Sequence, residues 1–533
     1  MTLHGSNFIA GKLSATSTET RQLRSPIDNG VLPGAFHIAS VEDCDTALRA
    51  ADEAFAVFRD STGELRARLL ETIASEINAL GDALLERAHR ETGLPLARLT
   101  GERARTMNQL KLFAQVAREE SWVDARIDPA LPTRQPLPRP DLRRMLRPIG
   151  PVIVFGASNF PLAFSVAGGD TASALATGNP VIVKAHDRHP GTAELVASAV
   201  QRAVATCGLP GGVFSMLHGP GTVIGKALVV HPLARAVGFT GSRHAGRALF
   251  DAAAARPEPI PVFAEMSSLN PVFVLPGAAR ERAAQIATGL TQSVTLGVGQ
   301  FCTKPGLVFG VRSPEFAQFV DGFATQLKAV TPATMLHDGI SAAYRKGVER
   351  ASAIPAAKPL ARVEVASDGK NLGGAVALQT DVAGFLAHPE ASEEVFGPFT
   401  LIVAGQSFEE LEQAAEKLEG QLTVTLHATA DDLRHAERLV RLLERKAGRL
   451  VVNGFPTGVE VSPAMNHGGP YPATTDVRFT SVGTAALFRF VRPVCYQDVP
   501  EALLPEPIRN ANPRGLWRLV DNKLTQAAVG SAG

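Results

Sequence analysis

Pro148-Ile149-Gly150-Pro151-Val152-Ile153-Val154-Phe155-Gly156 is a short apolar run that ends in glycine, and Pro180-Val181-Ile182-Val183-Lys184 repeats the form after a stretch of small residues. An apolar strand, a helix and a second apolar strand at this spacing make a parallel βαβ unit, because a strand covered by helices on both faces has no polar side to present. The pattern continues outward through a helix near Ala193 to Thr206, the turn Gly208-Leu209-Pro210-Gly211-Gly212 and a strand near Val213 to Leu217. Ala236-Val237-Gly238-Phe239-Thr240 then runs into Gly241-Ser242 and another helix. The fold class is therefore α/β, with a doubly wound nucleotide-binding sheet.

A second series of strands begins at Pro271-Val272-Phe273-Val274-Leu275 and continues through Gly306 to Phe309, Phe399 to Val403, Leu422 to Leu426 and Arg449 to Asn453. It predicts a second α/β domain. Upstream, Ala47, Ala50, Ala54 and Phe58 recur at three- and four-residue steps, so Val41 to about Glu120 is expected as covering helices. Between Ser121 and Arg147 lie Pro129, Pro132, Pro136, Pro138 and Pro140, which break helices and predict an extended crossing segment able to reach another subunit.

With 533 residues, 45% hydrophobic content, 20% charge and a formal net charge of +1, the chain has the composition of a soluble globular protein of at least two large domains. It lacks the basic excess of a nucleic-acid partner and any apolar stretch of the ~20 residues that would span a bilayer. Its N-terminus shows no basic segment followed by an apolar core, and a cytoplasmic location is expected. Cys44, Cys207, Cys302 and Cys495 have neither paired nor metal-like spacing, so a reducing compartment and no metal are expected.

The chemistry concentrates in two stretches. Gly299-Gln300-Phe301-Cys302-Thr303-Lys304-Pro305-Gly306 presents a thiol in a glycine-containing loop, while Cys44 and Cys207 fall in helical patterns and Cys495 near a C-terminal strand. Phe263-Ala264-Glu265-Met266-Ser267-Ser268 places a carboxylate at a strand end, where open α/β folds gather their sites. A thiol nucleophile whose acyl intermediate is hydrolysed needs one cysteine and one general base, so Cys302 with Glu265 points to covalent aldehyde oxidation. Asn159, in Gly156-Ala157-Ser158-Asn159-Phe160-Pro161 after the first strand, carries a side-chain amide suited to an oxyanion. Gly241-Ser242 at a strand-to-helix junction would face a pyrophosphate with free amides, although Gly241-Ser242-Arg243-His244-Ala245-Gly246 is not the usual Gly-x-Gly-x-x-Gly fingerprint.

In this order and spacing, Asn159-Phe160-Pro161, Lys184, Phe239-Thr240-Gly241-Ser242, Glu265, Cys302 and Glu393-Glu394-Val395-Phe396-Gly397-Pro398 resemble the aldehyde dehydrogenase superfamily over roughly residues 5 to 500. The resemblance implies a dinucleotide-binding domain (1–120 and 148–265), a catalytic domain (266–468) and a small β oligomerisation element (121–147 and 485–500), followed by a C-terminal tail (501–533). It implies attack by Cys302, an oxyanion held by Asn159 and the Cys302 amide, and deacylation through Glu265. Lys184 and Glu394 would bind the two riboses of NAD(P), Ser242 the pyrophosphate, and Phe396 would pack near the nicotinamide. A homodimer or homotetramer acting on a small aldehyde is expected.

Two departures narrow the resemblance. Ser158 stands where the family usually has tryptophan, and Ser267-Ser268 where it has two glycines. Together with Phe301, Pro456-Thr457-Gly458-Val459-Glu460-Val461 and Ala464-Met465-Asn466-His467-Gly468-Gly469-Pro470-Tyr471, they resemble the α-ketoglutaric semialdehyde (2,5-dioxovalerate) dehydrogenase branch, with a bacterial fatty-aldehyde dehydrogenase as a near relative. His467 is expected to make local hydrogen bonds in a structural loop. A ketoacid substrate would call for an arginine, with Arg143, Arg144 and Arg478 as candidates, whereas a long-chain aldehyde would use Phe160, Phe164 and Phe455. Asp187 is placed to accept bonds from the adenosine ribose and to repel a 2′-phosphate, with His186 and Arg188 countering that repulsion; the choice between NAD and NADP stays open. A thiol hydrolase without cofactor leaves the βα units unused, and a non-catalytic scaffold does not explain an intact Cys302, Glu265 and Asn159.

Overall fold

The computed structural model describes residues 3–366 and 371–530. Strands Val152–Phe155, Val181–Lys184 and Phe214–Leu217 are buried at every position, as parallel strands covered on both faces must be. They form a seven-stranded sheet in the spatial order Val262–Glu265, Ala236–Thr240, Val152–Phe155, Val181–Lys184, Phe214–Leu217, Asn7–Ile9 and Lys12–Ser14. The first five strands are parallel, and the N-terminal hairpin closes the far edge in antiparallel register. Strand order reverses between Val152–Phe155 and its neighbour Ala236–Thr240, which opens the crevice where doubly wound sheets bind their ligands.

The predicted covering helices are Val41–Phe58, Gly63–Ala79, Gly81–Thr92 and Leu96–Glu119. Ser40 and Asp43 start the first with a reciprocal capping box, worth about 1 kcal/mol for a typical cap. Leu70, Ile73, Leu99, Leu110 and Phe113 join a core with Val152, Val181 and Phe214, each side chain contributing roughly 2 kcal/mol on burial.

A second seven-stranded sheet runs Lys358–Arg362, Val376–Asp381, Phe399–Gly405, Leu307–Val311, Val272–Val274, Gln421–His427 and Ala447–Val452. Only Lys358–Arg362 is antiparallel to its neighbour.

The proline-rich crossing segment ends in Leu142–Pro148, which pairs antiparallel along its whole length with Val491–Gln497. Val491–Gln497 is the outer edge of a five-stranded sheet that continues through Arg126–Asp128, Arg518–Val520 and Lys523–Thr525. The stretch 501–533, expected as a tail, thus contributes two strands to this sheet. Pairing of Arg518–Val520 with Arg126–Asp128 holds it there, and Arg518, 1% exposed, ties the stretch to itself by donating to the carbonyls of Asn510, Ala511 and Ala527. Among the described residues no helix is long and apolar enough to cross a membrane.

Candidate active site

Glu265 is the last residue of its strand, and the segment from His467 to Ser481 is laid across that strand end. Met266 N donates to Ala473 O at 2.8 Å, and Glu265 itself bridges to Thr474. This clamp puts His467, 1% exposed, against the Glu265 carboxylate. His467 Nε2 lies 3.0 Å from Glu265 Oε1 and 3.4 Å from Cys302 Sγ, and the Ser481 hydroxyl donates to the other carboxylate oxygen. The ligand atoms of Glu265, Cys302 and His467 all lie within 4.8 Å of one another.

The Cys302 loop is shaped by conformation. After helix Pro276–Thr295, Gly297, Val298 and Gly299 have φ of +55°, +57° and +64°. A valine there is strained, and a Cβ added at Gly299 would meet the Gly397 carbonyl carbon at 2.3 Å, so only glycine lets the two loops touch. Asn270 Nδ2 then ties the loop down, donating to the carbonyls of Cys302 at 2.8 Å and Lys304 at 3.1 Å. Asn159 Nδ2 donates to Gln300 O at 3.1 Å, which brings the predicted oxyanion donor to a loop residue two positions before the thiol.

Electrostatics set the resting protonation. Burial pushes the Cys302 thiol well above its ordinary value, and the neighbouring Glu265 pushes the same way. For Glu265 burial acts upward too, yet His467, Ser481 and Cys302 outweigh it and its carboxyl ends below the usual range. The resting pair is a neutral thiol beside a carboxylate. His467 Nε2 is within reach of both and its N–H donates to the carboxylate, which leaves Glu265 as the group able to take the thiol proton; the expectation of local hydrogen bonds for His467 is corrected here, since this partner is 202 residues away in sequence.

A cleft of about 1110 Å³ is lined by Ser242, Ser267, Tyr344, Glu394 and Phe396. The Ser242 hydroxyl caps helix Arg243–Ala254 by accepting from Ala245 N. Gly241 differs from expectation: its amide already donates to Glu265 O at 3.0 Å, and it must be glycine because a Cβ would meet the Phe239 ring at 2.5 Å. The departure at Ser267-Ser268 finds its reason here. Ser267 lines the cleft with Glu394, Ser267 and the Ser268 backbone both oppose the rise of the Glu394 carboxyl, and Ser268 Oγ donates to Asn270 Oδ1 at 2.9 Å. Lys304, buried two residues after the nucleophile, donates from Nζ to Val395 O at 3.2 Å and Phe399 O at 2.9 Å, flanking Glu394 and Phe396. Nothing in the sequence marks it except its place beside Cys302.

At the crevice of the first sheet, buried Lys184 pairs with Asp187 at 2.5 Å, and Arg21 reaches the same carboxylate at 3.4 Å. His186 stacks on His189 nearby, and Arg188 pairs with Asp338. Of the arginines considered for a substrate carboxylate, none approaches Cys302. Arg143 is held by Asp141, Ile508 O and Asn510, Arg144 pairs with Asp124, and Arg478 pairs with Asp476 at the surface. They are charge partners of local turns and of the third sheet. Phe160 does pack at the nucleophile loop, edge-on to Phe301 at 5.2 Å and to Phe164 at 5.3 Å, whereas Phe455 packs in a tilted arrangement against His427.

Residues 13–471 match the aldehyde dehydrogenase family profile. The chain belongs to the aldehyde dehydrogenase family. This aldehyde dehydrogenase is 53% identical to alpha-ketoglutaric semialdehyde dehydrogenase 2 of Azospirillum brasilense over 522 residues, covering 98% of each chain. It is 46% identical to alpha-ketoglutaric semialdehyde dehydrogenase of Acinetobacter baylyi, over 98% of this chain and 99% of that one. Among solved structures, betaine aldehyde dehydrogenase of Staphylococcus aureus in complex with NAD+ superposes with a TM-score of 0.80 at 19% identity, covering 93% of this aldehyde dehydrogenase and 96% of that chain. The likeness at that identity is one of fold.

Proposed function

We propose that this enzyme oxidises α-ketoglutaric semialdehyde to 2-oxoglutarate with a nicotinamide dinucleotide, through a thiohemiacetal and a thioester on Cys302. The observation that carries the chemistry is the contact of one buried imidazole with both the Cys302 thiol and the Glu265 carboxylate. The substrate rests on the two full-length relatives named for it.

The thiol proton leaves to the Glu265 carboxylate, and from it to solvent, as Cys302 Sγ bonds to the aldehyde carbon, and the carbonyl oxygen becomes an oxyanion. Asn159 and the Cys302 amide are its donors. The bound dinucleotide supplies the hydride acceptor. Glu265 then takes a proton from the water that attacks the thioester carbon, and the C–S bond breaks to return the thiol.

For the dinucleotide, Lys184 and Asp187 suit the adenosine ribose, Ser242 the pyrophosphate, Glu394 the nicotinamide ribose and Phe396 the face of the ring. The cleft lined by Ser242, Glu394 and Phe396 has the dimensions of a cofactor site. The division into a cofactor-binding part (1–120 and 148–265) and a catalytic part (266–468) follows the two sheets. The free outer edge of Val491–Gln497 is the surface through which a homodimer or homotetramer would form.

The test is reduction of NAD and of NADP with α-ketoglutaric semialdehyde and with a long-chain aldehyde, for the parent and Cys302→Ala. High kcat/KM for the semialdehyde, abolished in the variant, is the expected result. Preference for the long chain would move the enzyme to fatty aldehydes, which the Phe160, Phe164 and Phe301 cluster would then serve.

A further inference from the structure

Helix Leu96–Glu119 turns one face towards the Asn159 and Cys302 loops. Arg98, Glu102 and Arg105 are four and three residues apart on it, so they line up along that face. The first two are committed. Arg98 Nη2 donates to Asn159 O at 2.7 Å, with its guanidinium over the Phe160 and Phe301 rings at 5.0 and 4.7 Å. Glu102 Oε1 accepts the amides of Leu162 and Ala163 at 2.8 and 3.0 Å, fixing the helix to the chain just after Asn159.

Arg105 is different. Its guanidinium lies over the Phe164 ring at 5.5 Å, and both Nε and Nη2 are shielded from solvent with no acceptor among the described residues. A buried charged donor left without a partner is destabilising until an acceptor arrives. Nε–H and Nη2–H are the two parallel donors that a guanidinium offers side-on to a carboxylate. Phe164 packs on Phe160, and Phe160 on Phe301 next to Cys302, so the guanidinium lies at the end of a ring cluster that reaches the nucleophile loop, and Cys302 and Glu265 are among the groups that act on its charge. Arg449, on which Cys302 also acts, has both Nη atoms engaged, by Gly458 O at 2.9 Å and Pro456 O at 2.6 Å, so that only its Nε lacks a partner among the described residues and it has no two-donor edge to offer.

We propose that the unpaired Nε–Nη2 edge of Arg105 binds the carboxylate at the far end of the aldehyde substrate, with the Phe160, Phe164 and Phe301 rings as the apolar wall beside the intervening carbons. The assignment rests on the proposed ketoacid-semialdehyde activity and adds the residue that selects it. A substrate so held has its aldehyde at Cys302 and its charge one helix face away, and an aldehyde of equal length without the carboxylate would leave the guanidinium unpaired.

The experiment compares 5-oxopentanoate with pentanal, which share a five-carbon chain and differ in the carboxylate, for the parent, Arg105→Met and Arg105→Lys. In Arg105→Met we expect kcat/KM for 5-oxopentanoate to fall about 100-fold, mostly through KM, with pentanal within about 3-fold of the parent. Arg105→Lys keeps the charge without the fork, and about a 10-fold loss is expected. Glutarate should protect Cys302 from alkylation in the parent and fail to do so in Arg105→Met, a readout independent of turnover. Equal losses for both aldehydes, or an undiminished preference for 5-oxopentanoate in Arg105→Met, would overturn the assignment while leaving the ketoacid reading intact. A parent with no preference for the carboxylated aldehyde would instead overturn that reading, and the assignment with it. Should Arg105→Met fail to fold, the Lys variant and glutarate protection decide the matter alone.

Discussion

His467 Nε2 and Glu265 Oε1 are 3.0 Å apart, both side chains almost wholly buried, although 202 residues separate them. An imidazole held this way is oriented by the carboxylate and presents the same nitrogen to Cys302 Sγ at 3.4 Å. Its Nδ1 is buried without a partner among the described residues, so proton traffic has one door.

Replacing His467 by Gln keeps a donor towards Glu265 but exchanges the imidazole for a shorter neutral amide. Burial and Glu265 hold the Cys302 thiol well above its ordinary value, so attack depends on passing its proton to Glu265, the carboxylate that His467 keeps below the usual range. We expect kcat to fall by about 10²-fold, and the pH dependence of Cys302 alkylation by iodoacetamide to move upward. Alkylation kinetics identical to the parent would assign His467 to structure alone.

Glu394 and Lys304 carry a second prediction. Burial raises the Glu394 carboxyl from 4.5 to about 7, and the Lys304 charge opposes that rise. If the carboxylate accepts the ribose hydroxyls, dinucleotide affinity should increase as pH rises through about 7, and Glu394→Gln should flatten the profile. Lys304→Met should move the midpoint upward and weaken binding near neutral pH, as read by titration calorimetry from pH 6 to 8. The stability contribution has the opposite sense: with a raised folded pKa it is complete below 4.5 and lost as pH climbs to about 7.

Legibility differed by the range of the signal. Val152–Phe155 and Val181–Lys184 announce themselves because a strand buried on both faces needs an unbroken apolar run. Cys302 stands out beside glycine, and Glu265 at a strand end. His467 was misjudged because its meaning lies in contact with a strand end far upstream, and no local spacing encodes it. Arg105 carries no mark in the sequence; what sets it apart among the buried arginines is that Nε and Nη2 both lack an acceptor among the described residues, which only the packed structure reveals. The hairpin Arg518–Val520 and Lys523–Thr525 escapes the sequence for the same reason, since the strand it docks on, Arg126–Asp128, pairs with Arg518–Val520 from almost four hundred residues earlier.

His427 closes strand Gln421–His427 with both ring nitrogens buried and no acceptor or donor for them among the described residues. Its ring lies 4.8 Å from Phe455. Burial, with Arg282 adding to it, lowers its pKa from 6.5 to about 4. The unfolded chain therefore binds a proton more readily than the folded one between these values, so the contribution is complete above 6.5 and is lost as pH falls towards 4. At roughly 1.4 kcal/mol per pH unit, the loss is on the order of 3 kcal/mol. His218, lowered to about 3, and His337, lowered to about 4, act in the same direction. Replacing His427 by Leu removes the titrating group while keeping an apolar side chain against Phe455. The midpoint of thermal unfolding should then rise relative to the parent at pH 5 by more than at pH 7.5, and an equal difference at both pH values would show that the neutral imidazole is not what acid attacks.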